Sequence, residues 1–297
     1  MNKVKKQGLE KAYQKNGWSF ISVAVVLVLV FNIYPIINSL ILSTMTGKGV
    51  VMRFNGLGNI RRLFTDTVFQ TALKNTFTFF IIQVPIMILL SLIIASMLNE
   101  PKLKFKSLFR TAIFLPCVTS LVAYSILFRS MFSFDGIINK FLLSIHLIAD
   151  PIPWLLDPFW AKVTIILAIT WRWTGYNMIF YLAGLQNIDP SIYEAARIDG
   201  ASKFRQFTNI TIPMLKPVIL FTTIMSTIGT LQLFDEVVNL TGGGPGDATL
   251  TLSQYIYNLS FVFTPNYGYA ATISYVIVII VAVLAIIQFK VGGGKDE

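Results

Sequence analysis

Apolar runs long enough to cross a bilayer recur along this chain, separated by short polar stretches. Crossing ~30 Å of hydrocarbon at ~1.5 Å per residue takes about 20 mostly apolar residues. Six stretches reach that length, at roughly 18–44, 72–98, 108–132, 160–187, 214–236 and 268–289. Short alternating segments of the kind that close into a barrel do not appear in the pattern. The expected fold is an all-α polytopic membrane protein of six transmembrane helices, one domain over 18–290 with its core at about 68–290. Residues 1–17 are expected as a basic, mobile cytoplasmic tail and 291–297 as a second cytoplasmic tail.

The polar punctuation gives the orientation. Basic residues gather at alternate span ends: Lys3, Lys5, Lys6, Lys11 and Lys15; then Lys102, Lys104, Lys106 and Arg110; then Arg197, Lys203, Arg205 and Lys216; then Lys290. That alternation predicts both termini in the cytoplasm. The loop between the fifth and sixth spans has Asp235, Glu236 and Asp247 and no Lys or Arg, as an outer loop should. One loop objects, because Lys48, Arg53, Arg61 and Arg62 fall on the predicted outer side.

Composition agrees with the pattern. A hydrophobic share of 55%, a charged share of 13% and a mean hydropathy of +0.68 do not suit a soluble domain. The net charge of +10 invites a nucleic-acid partner, but the cations flank spans rather than forming a binding face, so none is expected. A cleavable signal does not fit, since the apolar run from Trp18 is too long and passes through Asn32 and Pro35. Cys117 and His146 are each the single residue of their type, so neither a disulfide nor a metal site is expected. The glycine runs 242–246 and 292–294 lack the Lys-Ser/Thr pair of a phosphate loop. No catalytic grouping of acids, bases or nucleophiles is visible, and an enzyme is not expected.

Between the fourth and fifth spans lies a stiff polar segment, 189–213. Asp189-Pro190 ends the preceding helix. Ser191 stands three residues before Glu194, the spacing of a capping box, and Glu194 complements the positive helix end. Ala195 and Ala196 add helix propensity with little bulk. Gly200 is placed to take the left-handed conformation that closes the helix. A second short helix is expected from about Lys203 to Ile210, with Pro213 and Pro217 marking the turn into the fifth span. Such a helix–glycine–helix knob suits docking of a cytoplasmic partner; the plainer alternative is a turn that merely joins two spans.

Glu194-Ala195-Ala196, Asp199-Gly200-Ala201, Ile210 and Pro213 resemble the EAA loop of binding-protein-dependent ABC importer permeases, in particular the carbohydrate-uptake branch related to the maltose-transporter permeases. Gly56-Leu57-Gly58-Asn59 through Asn75-Thr76, Trp171 to Met178 with Ala183 to Gln186, and Phe234-Asp235 with Leu240 to Pro245 are similar to the same family, covering about 54–290. The resemblance implies that Glu194, Ala195, Ala196, Asp199, Gly200 and Ala201 engage a cytoplasmic ATPase. It further implies a second homologous permease in a heterodimer, two ATPase subunits that bind ATP and Mg, an external solute-binding protein, and a bacterial or archaeal cytoplasmic membrane. This chain itself is expected to bind no cofactor.

For the solute, an arginine at membrane depth faces protein or a watery cavity. Arg172 is flanked by Trp171 and Trp173, with Tyr176 and Asn177 one turn on, a set suited to stacking and hydrogen-bonding a sugar. The alternative is that Arg172 pairs internally with Asp235 or Glu236. Gln232, Phe234, Tyr255, Tyr257 and Asn258 are further pathway candidates, while Asn75 and Gln83 read as interhelical hydrogen-bonders. A secondary transporter driven by an ion gradient would need a relay of ionisable residues or an inverted repeat, and neither is seen. A permease of the same family for glycerol phosphate, amino acids or peptides stays open.

Overall fold

The computed structural model describes residues 3–49, 51–100 and 102–293. Residues 1–2 and 294–297 of the expected tails lie outside the described residues. Among the described residues three helices are long and apolar enough to cross a membrane, Gly17–Ser43, Thr67–Asn99 and Tyr267–Gly292; two bent helix pairs raise the figure to five.

The first span begins in α1 (Lys3–Val28), which runs unbroken through the basic segment expected as a tail. A π turn at Leu29–Ile33 joins it to α2 (Tyr34–Ser43). Pro35 has no N–H for the regular helical bond, which accounts for the irregular turn beside it. The loop that follows is not structureless. It folds as an antiparallel hairpin, β1 (Met45–Lys48) with β2 (Val51–Phe54), then α3 (Gly58–Leu63). The purely helical expectation missed that hairpin.

Helix α4 (Thr67–Asn99) starts at Asp66, whose carboxylate accepts from the Val68 and Phe69 amides. The predicted third span divides into α5 (Lys106–Val118) and α6 (Leu121–Met131), bent by 98°. Pro116 removes one helical donor, and Thr119 and Ser120 turn extended immediately after it. An apolar run therefore overstated this span as straight. Helix α7 (Ile137–Ser144) lies in the next loop. Asn139 is a hub there, donating to the carbonyls of Phe134 and Ile152 and accepting from the Ile152 amide and the Trp154 indole.

Helix α8 (Pro158–Gln186), capped by Asp157, is long enough to span but carries Lys162, Arg172 and Asn177. The segment 189–213 and its margin hold α9 (Pro190–Ile198), α10 (Lys203–Gln206), a π turn at Phe207–Thr211 and α11 (Ile212–Met214). Then α12 (Lys216–Leu231) departs at 72°. The fifth span ends at Leu231 rather than 236; Phe234 leaves helical geometry and α13 (Asp235–Leu240) starts anew. Helix α14 (Leu252–Tyr257), a π turn at Asn258–Val262 and α15 (Tyr267–Gly292) complete the chain.

Among the described residues three apolar clusters pack the chain from α3 onward, centred on Tyr269 and Ile273, on Phe79 and Ile165, and on Met178 and Tyr181. Helix α4 contributes to all three. Polar side chains lock the helices at depth. Gln83 accepts from Thr230, Ser91 donates to the Thr174 carbonyl, and Tyr181 bonds Thr222 at 2.6 Å. Asn75 reaches the carbonyls of Asp247 and Leu250 in the 241–251 loop, whereas Gln83 makes the interhelical bond its sequence position suggested.

Candidate functional site

Two sites follow from the residues singled out. The first is the segment 189–213. Asp189, not Ser191, caps α9: its carboxylate accepts from the Ser191 amide at 2.9 Å and Pro190 takes the first helical position. The cap is thus displaced by two residues, and with Ile192 at the third helical position no reciprocal capping box forms. Proline at that place needs no donor and is preset for a helix, so the aspartate before it is the better cap. At the other end Gly200 adopts φ +77°, as predicted. The Ala201 amide donates to the Ala196 carbonyl and the Gly200 amide to the Arg197 carbonyl, closing the helix as a Schellman motif. Ser202 accepts from the Arg205 amide and starts α10 at once. The two helices are therefore joined by a fixed glycine corner.

One face of this corner is anchored. The Tyr193 hydroxyl bonds Thr211 at 3.0 Å, and Lys203 bridges to Glu100 at the end of α4 at 2.7 Å. Glu100 is held below the ordinary carboxylate range, first by its hydrogen bond from Lys203. The other face is open. Glu194, Ala195, Asp199 and Gly200 are exposed, Ala196 and Ala201 half-buried, and Ile198 and Phe204 are 86% and 76% exposed. Glu194 meets Arg197 at 3.7 Å, an exposed pair of little stabilising weight. Ile198 and Phe204 were not among the predicted contact residues, although two apolar side chains beside Asp199-Gly200 were a readable signal.

The second site is the middle of α8. Arg172 is buried beneath two rings, 5.1 Å from the Tyr124 centroid and 5.6 Å from Trp173. Its Nε and Nη1 have no hydrogen-bond partner, and no ion pair forms with Asp235 or Glu236. The expected internal pair is absent among the described residues. The Glu236 carboxylate instead accepts from the Trp173 indole at 3.4 Å. One residue of helix turns the side chain by about 100°, which sends Arg172 towards α6 and leaves Trp173 facing α13.

Trp171 stacks on Tyr124 and is 44% exposed. Trp173, Tyr176 and Phe180 form an edge-to-face ladder at spacings of three and four that continues to Phe221 of α12. Phe180 and Phe221 were missed, though Phe180 obeys the helical spacing of the first two. Asn177 is turned inward, donating to the Trp173 carbonyl and to the Met87 sulfur. Gln232 is exposed at the end of α12, and Phe234 packs on Tyr257. Tyr255 lies elsewhere: its hydroxyl and that of Tyr269 both donate to Asp66 at 2.7 Å. Asn258 lines a cleft beside that network. The candidate pathway residues are therefore not one cluster.

Residues 105–290 match the family described as binding-protein-dependent transport system inner membrane component. The chain belongs to this family. Among its relatives, the lactose transport system permease protein LacF of Rhizobium radiobacter is 64% identical over 286 residues, 96% of each chain. The arabinooligosaccharides transport system permease protein AraP of Halalkalibacterium halodurans is 35% identical over 268 residues, 89% of this chain and 84% of that one. A chain in the crystal structure of a bacterial ABC transporter that imports the acidic polysaccharide alginate shares the fold. Its TM-score is 0.83 at 23% identity, covering 97% of this chain and 99% of that one. The resemblance read from the EAA loop and its companions is correct, and this inner-membrane permease stands among the sugar ABC importer permeases.

Proposed function

We propose that this permease is one half of an ATP-driven importer for a di- or oligosaccharide, with six spans and both termini in the cytoplasm. An external solute-binding protein delivers the sugar, and two cytoplasmic ATPase subunits bind ATP and Mg. A second, different permease completes the pathway. The observation that carries this reading is the glycine corner, rigidly closed on one side and open on the other. Its exposed Glu194, Ala195, Asp199, Gly200, Ile198 and Phe204 offer a preformed ridge for an ATPase cleft. The helix Gly17–Ser43 has none of its apolar window buried within its own chain, which leaves surface for lipid and the second permease. LacF carries lactose in its description, and its high identity favours a small, neutral sugar here too. Trp173, Tyr176 and Phe180 supply flat faces for its rings, while Arg172 has donors to spare.

Motion would pass from the corner to the passage through two contacts, one an exposed ion pair and one a hydroxyl hydrogen bond. Lys203 and Glu100 tie α10 to α4, and Tyr193 with Thr211 ties α9 to the foot of α12. The test is reconstitution with the permease and ATPase encoded beside this chain. Gly200→Asp and Glu194→Lys are expected to leave the complex in the membrane while ATP hydrolysis no longer drives uptake. Normal uptake by Gly200→Asp would remove the coupling role from this loop.

A further inference from the structure

Away from the two sites already described, a half-enclosed cleft of about 390 Å³ opens beside Arg62, bordered by Asp247, Asn258, Phe263, Thr264 and Asn266. Its depth follows from the spans it adjoins. Arg62 stands in the last turn of α3, just before α4, and Asn266 caps α15 by accepting from the Tyr269 amide. The beginnings of these two spans lie side by side, since Phe69 and Ala72 of α4 pack with Tyr269 and Ile273 of α15. Polar groups at the joint start of two spans sit at the level of the lipid headgroups.

The cleft carries one charge of each sign. The Arg62 guanidinium lies 3.9 Å over the Tyr269 ring, which fixes its direction, and its Nε comes only within 3.9 Å of Asp66. Asp66 already accepts from two tyrosines and two helix amides, so Arg62 keeps donors for another partner. Asp247 holds φ +60°, a left-handed conformation that costs a non-glycine residue energy. The Leu250 amide and the Asn75 side chain fix that turn by donating to its carbonyl. Among the described residues the Asp247 carboxylate forms no ion pair. The rim of the cleft is apolar: Phe261, Val262 and Phe263 follow one another at 72%, 59% and 53% exposed. Such a run at headgroup depth calls for an apolar cover.

We propose that this cleft binds the headgroup of a phosphatidylethanolamine lipid, its phosphate on Arg62 and its ammonium on Asp247, with the acyl chains passing over Phe261 and Phe263. This depends on the membrane placement of α4 and α15 and not on the importer reading. A zwitterion matches a cleft with one guanidinium and one carboxylate. An acidic protein surface would be repelled by Asp247 and a basic one by Arg62. Guanidinium donors fit phosphate oxygens. A primary ammonium has three donors, enough for the carboxylate and for the side-chain oxygens of Asn258 and Thr264. A choline headgroup has the same charges and none of those donors, so the cleft separates two lipids of equal charge.

The test places the complex, copurified with its partner permease and ATPases, in nanodiscs of equal phosphatidylethanolamine and phosphatidylcholine. Lipids retained on release are counted by native mass spectrometry. Wild type is expected to retain the ethanolamine lipid in excess over the choline lipid. Asp247→Asn, in which asparagine tolerates the left-handed turn, should lower that preference about tenfold, the worth of one charge-assisted hydrogen bond. Arg62→Gln should weaken retention of both lipids alike, because each carries the phosphate. Copurification of the partners with each variant shows that it has folded and assembled. Equal retention of the two lipids by wild type overturns the proposal, as does an unchanged preference in Asp247→Asn. A variant that keeps the lipid preference but shifts the concentration of solute-binding protein giving half-maximal ATPase stimulation assigns the cleft to that protein and likewise overturns it.

Discussion

At Gly200 nothing lies within 4 Å of where a Cβ would stand, yet φ is +77°. Steric room and backbone strain separate here. A side chain at this position costs roughly 1 kcal/mol through its left-handed conformation, without colliding inside the chain. Gly200→Asp should therefore lower the melting temperature of the purified complex by only a few degrees while abolishing coupling; collapse of the fold would show that the residue is needed internally. Arg172 presents the opposite balance, a buried cation with two unpartnered nitrogens. Arg172→Met is expected to keep or raise thermal stability, because it removes an unpaired charge. Sugar transport by that variant should fall, and a marked loss of stability would indicate an ionic partner in the assembled complex. Asp66 is different again. Burial raises its carboxyl, but hydrogen bonds from Tyr269 and Tyr255, the Phe69 amide and the charge of Arg62 outweigh that and hold it below its ordinary value. A depressed folded value means stabilisation that is complete above the unfolded value of about 3.9 and lost as pH falls through the lower one. The melting-temperature gap between wild type and Asp66→Asn should accordingly narrow from about pH 5 to pH 3. A gap that stays constant would mean that the carboxylate charge is not what these tyrosines require.

Among the elements, caps and prolines account for most boundaries. Asp66, Asp157, Asp189 and Thr251 each accept amides at a helix start. The Asp189 carboxyl sits below its ordinary value because the Ser191 amide donates to it. Asp189→Ala should leave the first turn of α9 fraying, seen as several-fold faster amide exchange at Ser191, Ile192 and Tyr193. Unchanged exchange would place the restraint in Pro190 and the Tyr193–Thr211 bond instead. Proline explains the breaks that hydropathy alone does not see. Pro116 precedes the 98° bend, and Pro213 and Pro217 flank the 72° one.

For the molecule as a whole, α4 joins the three apolar clusters and also meets α10 through Glu100. In the proposed importer a push on α10 would reach the far end of α4, where Asp66 caps the same helix. Lys203→Glu is expected to reduce sugar moved per ATP, and adding Glu100→Lys should restore it. Failure of the paired reversal to restore coupling would leave this bridge a surface contact of no consequence.

The amino-acid order by itself determined the membrane class, the family and the glycine corner. Each depends on residues near one another in the chain: apolar run length, charge at span ends, and a helix closed by the glycine two residues beyond its end. What only the tertiary structure decided depends on distant partners. Apolar runs cannot reveal that the predicted third span bends by 98°, since bending alters direction rather than hydropathy. Nor can spacing tell which of Trp173 and Arg172 meets Glu236, because that depends on where α6 and α13 pack around α8. Nor can spacing show that the Tyr255 hydroxyl donates to Asp66, 189 positions earlier.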